Sequence, residues 1–396
     1  MDKLPVQALV DSEFPGEWGE GSPGSGLLPC RVLRATNLVS SGIDYSTAAR
    51  RYVPRAKVVA KRLRRGDIIL EAAGGGPGVP VGRVARFDPP DEEWTYVVSN
   101  FFRTLRPARL ADARFVYHIL RYLYRQPVIW QVQQQTTGII NLKVRDYLQL
   151  RVPVPPLVEQ RRIAGILDTI DETIQATERV LSKCELIEQG LKQDLVGNRS
   201  GSDHGWERAK IGDLGLIVTG GTPPTGDERY WGGSIPFITP SDINARGDVR
   251  STDRHVTELG ARLGKRIPRG SVAVVCIGSI GKVGRVHESS VTNQQINTIV
   301  PSAEHDSEFV ACVLELARPM LEAEAGRQVL PIVNASTLRV LQTYVCPPDT
   351  QREIAAHLVA SRNRIEKECS VLAKLQNLRS GLAADLLSGR LRTVAA

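Results

Sequence analysis

Asp88-Pro89-Pro90-Asp91 is the nearest approach in this chain to the Asn/Asp-Pro-Pro-aromatic motif of an adenine methylase, and it ends in an acid that cannot stack on a base. No cofactor glycine motif precedes it, so it reads as a loop. A metal-dependent nuclease of the Asp…(Asp/Glu)-x-Lys kind needs an acid two residues before a lysine, and none of the lysines has one. Gly281-Lys282 approaches a phosphate loop, but Cys276 stands where the first glycine belongs and Val283 replaces Ser/Thr. Gly74-Gly75-Gly76-Pro77-Gly78 lacks the spacing of a dinucleotide fingerprint. His118, His204, His255, His287, His305 and His357 form no His-x-x-x-His pair, and no two cysteines make a CxxC. Neither a metal nor a bound cofactor is expected. The chain reads as non-catalytic.

What it offers instead is recognition chemistry. Gln or Asn can span adenine N6/N7 and Arg can span guanine O6/N7, while other polar groups hold phosphates. Candidates of this kind lie in polar turns beside predicted strands. In the second half they are Gly221, Thr222, Thr239, Ser241, Asp242, Ser279, Lys282, Asn293, Gln294 and Gln295. In the first half Arg34, Thr36 and Asn37 sit where Thr239, Ser241 and Asp242 lie in the second, and Asn100 belongs to a further echoing turn. Gln133-Gln134-Gln135-Thr136-Thr137 is unusually rich in amides, and Arg62, Arg64 and Arg65 form a basic cluster. Each has a bland counterpart: an amide run can satisfy its own turn, and an arginine cluster can be a solvated face. Lys plus Arg is 51 against 43 acidic residues, a formal net charge of +8. A polyanionic partner fits that excess, which is largely arginine.

The elements that must position these residues come in two copies. Val154-Pro155-Pro156-Leu157-Val158-Glu159-Gln160-Arg161-Arg162-Ile163-Ala164 recurs as Val345-Cys346-Pro347-Pro348-Asp349-Thr350-Gln351-Arg352-Glu353-Ile354-Ala355. From Gln160 onward, adding 191 to each number continues the match without a gap as far as Arg199 and Arg390. Ile163, Leu167, Ile174, Leu181, Leu191 and Leu195 step by four, seven or ten, sums of three and four, as do Ile354, Leu358, Ile365, Leu372, Leu382 and Leu386. That spacing predicts two long amphipathic helices, each starting after a proline pair and stopping near Gly197 or Gly389. At about 38 residues and ~1.5 Å per residue, each helix would be ~57 Å long. Such helices exceed one small core, so the two stripes are expected to pack on each other as a coiled-coil-like pair.

The segments before the helices echo each other more weakly. Arg65-Gly66-Asp67-Ile68-Ile69-Leu70 parallels Arg269-Gly270-Ser271-Val272-Ala273-Val274, a turn and then a buried strand. Ser99-Asn100-Phe101-Phe102 is set beside Thr292-Asn293-Gln294-Gln295, and Asp112-Ala113-Arg114-Phe115-Val116 beside Asp306-Ser307-Glu308-Phe309-Val310. Short strands, glycine turns and a helix or two suggest α+β lobes. The expected order is a first lobe at 1–152, a helical region at 153–197, a linker at 198–205, a second lobe at 206–344, a second helical region at 345–390 and a tail at 391–396.

Composition excludes several classes. The chain of 396 residues is 42% hydrophobic, enough for a folded core, which excludes a disordered chain. No apolar run approaches the ~20 residues of a membrane span. Met1-Asp2-Lys3-Leu4-Pro5 lacks the layout of a secretory signal, and the six dispersed cysteines fit reduced thiols, so a cytoplasmic protein is expected.

With its doubled Pro-Pro-x-x-Glu-Gln-x-x-Ile helix start, the chain resembles the specificity (S) subunits of type I restriction–modification systems. The first copy fits as Pro155-Pro156-Leu157-Val158-Glu159-Gln160-Arg161-Arg162-Ile163. The second departs in having Thr350 for Glu and one residue fewer after the prolines. Ile235-Pro236-Phe237-Ile238-Thr239-Pro240-Ser241-Asp242-Ile243, Gly278-Ser279-Ile280-Gly281 and Asn293-Gln294-Gln295 add looser likeness. The resemblance implies an α+β protein in which two target-recognition domains alternate with two long helices packed as an antiparallel, pseudo-twofold pair. It implies double-stranded DNA as a partner, read as a bipartite target with one half-site per domain. It also implies two methyltransferase (M) subunits carrying S-adenosylmethionine and acting on adenine N6, and restriction (R) subunits, where present, using ATP and Mg. The rival reading is a coiled-coil scaffold whose two adhesive lobes bind protein and not DNA.

Overall fold

The computed structural model describes residues 3–39, 42–75, 78–90, 93–136, 139–200, 205–326 and 331–393. Of the segments singled out above, Met1, Asp2, Gly76, Pro77, Asp91, Thr137, linker residues 201–204 and tail residues 394–396 lie outside the described residues. The chain divides into two compact units, Met1–Arg179 with Ser370–Ala396, and Val180–Cys369. Each unit therefore contains one lobe, the beginning of the long helix that follows it and the closing part of the other. These units cut across the linear order of lobe, helix, lobe, helix.

In the first unit an antiparallel sheet runs in the order Val10–Pro15, Phe102–Pro107, Ile68–Glu71, Val84–Arg86. A second sheet places Leu27–Leu33 between antiparallel Ala49–Pro54 and parallel Tyr96–Val98. Ile68–Glu71 is buried along its whole length, which is why it reads as a continuous run rather than an alternation. The helix Ala113–Tyr124 starts where the Asp112 carboxylate accepts the N–H groups of Arg114 and Phe115 at 3.0 and 3.2 Å. An aspartate there satisfies two of the helix's orphan donors. Phe115, Ile119 and Leu120 on its inner stripe pack with Ile68, Leu70 and Leu105 of the sheet. Ile163 and Leu167 from one long helix and Ala383, Leu386 and Leu387 from the other complete this core.

The second unit repeats the plan. Its larger sheet has the order Gly215–Thr219, Ile296–Pro301, Val272–Val275, Val283–Val286, Asp248–Val249. The smaller one places Trp231–Ile238 between antiparallel Arg254–Val256 and parallel Val291–Thr292. Asp306 caps the helix Ser307–Leu316 through Glu308 and Phe309, at 2.8 and 3.2 Å. Phe309, Val313 and Leu314 share a core with Val272, Val274 and Ile299, closed by Val196, Ile354 and Leu358 of the long helices.

The ladders correct one expected pairing. Ser99 donates its N–H to Leu33 as Asn293 donates to Ile238, at 2.9 and 3.0 Å. Ser99 therefore corresponds to Asn293, not Thr292, so Asn100 corresponds to Gln294 and Phe101 to Gln295. The segment echo alone slipped by one residue because backbone pairing with a distant strand, not local composition, sets the register.

The long helices span Leu157–Lys192 and Pro348–Ser388, 36 and 41 residues. The first continues through a wider π-type turn at Gln193–Gly197, and Gly389, at φ 79°, follows the end of the second. In the first unit they run antiparallel: Asp171 meets Arg379 and Glu159 meets Arg392. Ile163, Leu167, Ile354, Leu358, Ile365 and Leu386 are buried, whereas Ile174, Leu181, Leu191, Leu195, Leu372 and Leu382 are half-buried. The predicted stripe is real, and it is best covered where a lobe also packs on it.

Candidate nucleic-acid interface

Four turns of the second lobe gather at one end of its two sheets. Gly221 donates to Thr292, Asn293 to Ile238, Cys276 to Gln295, and the Lys282 ammonium to the Pro240 carbonyl at 2.9 Å. These bonds bring Thr222, Thr239, Ser241, Ser279, Lys282, Gln294 and Gln295 to a common edge. A Cβ on Gly220 would lie 2.2 Å from the Asn293 carbonyl oxygen, so only glycine lets these turns close. Thr222, Ser241, Ser279 and Gln294 are exposed. The Thr222 hydroxyl donates to the Gln294 side-chain oxygen at 2.5 Å, which leaves the Gln294 amide free to donate outward.

Two candidates at this edge hold it instead of projecting from it. Asn293, 9% exposed, accepts the Gln295 N–H at 3.1 Å and donates to the Gln295 side chain at 3.0 Å. Asp242 accepts from the Thr239 N–H and hydroxyl at 2.7 and 2.6 Å and from the Asp253 N–H at 3.1 Å. Short polar side chains that satisfy nearby backbone fix a turn's shape.

The first lobe builds the corresponding edge from different side chains. Gly16 answers Gly220: a Cβ there would lie 2.0 Å from the Ser99 carbonyl oxygen. Arg34, Thr36 and Asn100 line a cleft of about 400 Å³ with Trp18, Ala35, Ser99 and Phe101. Phe101 is 49% exposed, and the Arg51 guanidinium lies 4.2 Å above the Trp18 ring. Asn37 is fully buried, accepting from the Arg34 N–H at 2.8 Å and donating to Asp44 and Thr47 at 2.9 Å each. It is the anchor of the turn, as Asp242 is in the second lobe.

Two lobes of one topology, each with its own polar edge and each followed by a long helix, make a tandem architecture. The family model described as "Type I restriction modification DNA specificity domain" matches residues 54–186 and again 203–376. The chain belongs to the type I restriction–modification DNA specificity family. It is 34% identical over 143 residues to the HindI specificity subunit of Haemophilus influenzae, covering 35% of this chain and 31% of that one. It is 29% identical over 182 residues to the MjaIX specificity subunit of Methanocaldococcus jannaschii, covering 43% and 41%. The chain thus spans about a third to two-fifths of the length of these curated relatives. The fold is similar to the crystal structure of the type I restriction–modification S subunit from M. genitalium, with a TM-score of 0.64, 14% identity, and 98% and 96% of the two chains covered.

Within this specificity-family chain, the amide run divides into two roles. Gln133 is spent on structure: it accepts from Val81 at 3.0 Å and donates to Val81 and Ile129 at 3.1 and 2.9 Å. Gln134 and Gln135 are exposed on the antiparallel ribbon of Gln133–Thr136 with Ile139–Leu142. Leu142 donates to Ala72 and Gly74 to Ile140, which seats the ribbon beside the turn carrying Phe101. Arg62, Arg64 and Arg65 are not brought to this edge. They precede Ile68–Glu71, and Leu63 donates to Tyr96, so they lie at the opposite end of both sheets from residues 72–74 and 99–101. Arg65 is also engaged, by the Asp88 carboxylate and the Pro89 carbonyl.

Trp18 and Arg51 were not singled out from sequence, and Phe101 appeared there only within the echoing turn and not as a recognition candidate. The one available signal was Gly16, whose role is visible only through its counterpart Gly220. Among the described residues no group of three or more His, Cys, Asp or Glu side chains is placed to hold a metal ion. No helix among them is long and apolar enough to cross a membrane.

Proposed function

We propose that this chain is the DNA-recognition subunit of a type I restriction–modification complex. Each lobe reads one half of a bipartite target through its turn edge, and the long helices recruit two M subunits that methylate adenine N6. R subunits join where the system has them. The chain itself supplies positioning and no bond chemistry: S-adenosylmethionine belongs to the M subunit, and ATP and Mg to the R subunit.

The observation that carries this reading is the duplicated edge, the same four turns built twice with different side chains. In the second lobe the edge offers donors and acceptors, Gln294, Gln295 and Ser241, suited to base edges, with Lys282 beside them. In the first it offers Thr36 and Asn100 beside the apolar faces of Trp18 and Phe101, a surface suited to a thymine methyl. Gln134 and Gln135 lie on a two-stranded ribbon, an element that a major groove admits. Lobes that differ at equivalent positions read different half-sites.

The test is methylation mapping of genomic DNA from cells expressing the chain with an adenine methyltransferase subunit. Gln294→Ala with Gln295→Ala should relax or weaken one half-site and leave the other intact. DNA affinity should also fall by about five or more log units per log unit of salt if six or more phosphates are held. A flat salt response with no bipartite methylation would favour the protein-binding scaffold instead.

A further inference from the structure

Within the first unit two ion pairs tie the first long helix to the second and to the segment that follows it. Glu159 accepts from Arg392 at 2.7 and 2.6 Å, and Asp171 accepts from Arg379 at 3.0 and 3.3 Å. Glu159 is 5% exposed and Arg379 4%, so losing either partner would strand a buried charge. Asp171 also meets Arg121 of the lobe at 2.7 Å.

The repeat says what a second copy of the chain could offer in their place. Moving 191 positions along, Asp171 and Glu159 correspond to Arg362 and Thr350, while Arg379 corresponds to Glu188. Were the first helix to pair with the same helix of another copy in this register, Asp171 would face Glu188. Were the second helix to pair with its like, Arg379 would face Arg362. Within one chain Asp171 meets Arg379, and in the second unit Glu188 and Arg362 line a common cavity, where Glu188 meets Lys192 and Arg362 meets Glu308. The lobe helices carry the same inversion. Arg114 and Arg121 stand where Glu308 and Glu315 stand in the second lobe, and there Glu308 meets Arg362 at 2.8 Å.

We propose that this inversion is a pairing code: it makes the first long helix accept the second and reject the equivalent helix of another copy. Two helices alike in apolar stripe cannot be told apart by hydrophobic packing, whereas a charge register can discriminate them. The partner that the code excludes is a second copy of this chain.

The test co-expresses two full-length copies carrying different tags. Wild-type copies should purify separately, with the mass of a single chain by light scattering. Glu188→Arg combined with Arg379→Glu inverts the code, since like helices then attract at both positions and unlike helices repel. At least about tenfold more of the second tag should co-purify, as a two-chain species, a change of about 1.4 kcal/mol in pairing preference. Arg379→Gln, which weakens the pair without creating an attraction, should not have this effect. Wild-type copies that pair as freely as the inverted ones, or an inverted variant that keeps the wild-type circular dichroism and a single-chain mass, would overturn the code. Should the inverted variant not fold, the exchange at the other pair decides. Glu159→Arg and Arg392→Glu should each lower the melting temperature and together recover at least about half of the loss, and no recovery would equally overturn it.

Discussion

The side chain of Gln160 is bolted to Asp112: its oxygen accepts the Asp112 backbone N–H at 3.0 Å while its amide donates to the Pro155 carbonyl at 2.9 Å. Gln351 repeats this with Asp306 and Cys346, at 3.1 and 2.8 Å. Both glutamines are nearly fully buried. The glutamine of the repeated helix start therefore fastens each long helix to the residue that caps its lobe's helix. This fits the presence of Gln351 beside Thr350 in the second copy: Glu159 serves the segment after the second helix, through Arg392 and the Thr393 N–H, whereas the glutamine serves both copies.

Gln160→Ala and Gln351→Ala should each destabilise the chain by about 2–3 kcal/mol, because a buried donor and a buried acceptor both lose their partner. Urea unfolding measures this. A loss below ~0.5 kcal/mol at either position would show that the bolt is ornamental there.

At the second lobe's edge, stability and reading should separate between neighbours. Asn293→Ala should cost about 1–2 kcal/mol, since the Gln295 N–H loses its acceptor. Gln294→Ala should leave the melting temperature nearly unchanged and lose about 1–3 kcal/mol of discrimination at one base. Binding titrations against matched and mismatched half-sites distinguish the two. Equal effects of both substitutions on stability would contradict the separate roles.

The basic cluster and the amide ribbon should part company in the same way. Arg62→Ala with Arg64→Ala, at the far end of the sheets, should change DNA affinity by less than about twofold, whereas a lost phosphate contact would lower the salt slope by about 0.9. Gln134→Ala with Gln135→Ala should weaken the first half-site. Methylation mapping and salt titrations of the two double variants give the comparison.

His118 supplies a pH dependence. It is buried beneath the Asp168 carboxylate, with its Nε2 2.8 Å from Oδ1. Burial holds the imidazole below its usual range, outweighing the attraction of Asp168. A depressed folded value means that the unfolded chain takes up the proton first, so stability is full above about pH 6.5 and falls below it. The limiting slope is about 1.4 kcal/mol per pH unit. Asp168, held low against its own burial by the His118 hydrogen bond and the nearby arginines, loses its contribution only at far lower pH. Melting curves at pH 7.5 and 5.5 should converge for His118→Gln and diverge for the wild type. Equal acid sensitivity would show that His118 does not carry the effect.

The sequence by itself determined the duplication, the two long helices and the presence of a lobe before each. Those features live in periodicity and in segments read within one stretch of chain: a 3.6-residue stripe, a proline pair, a strand that is apolar throughout. The echo of 112–116 in 306–310 was legible for the same reason, and the structure showed that Asp112 and Asp306 cap helices there. Tertiary structure alone decided which polar residues hold a turn and which face outward. Asn37, Gln133, Asn293 and Asp242 are chemically as fit to read a base as Gln134 or Gln294, and only their bonded partners show them to be spent. It alone placed Trp18 beside Phe101, sent Arg62 and Arg64 to the opposite end of the sheets, and shifted Ser99 from Thr292 to Asn293. Each of these depends on pairing between residues tens of positions apart. Composition does not encode that pairing locally, because strand register is set by whichever distant neighbour supplies the ladder and the buried face.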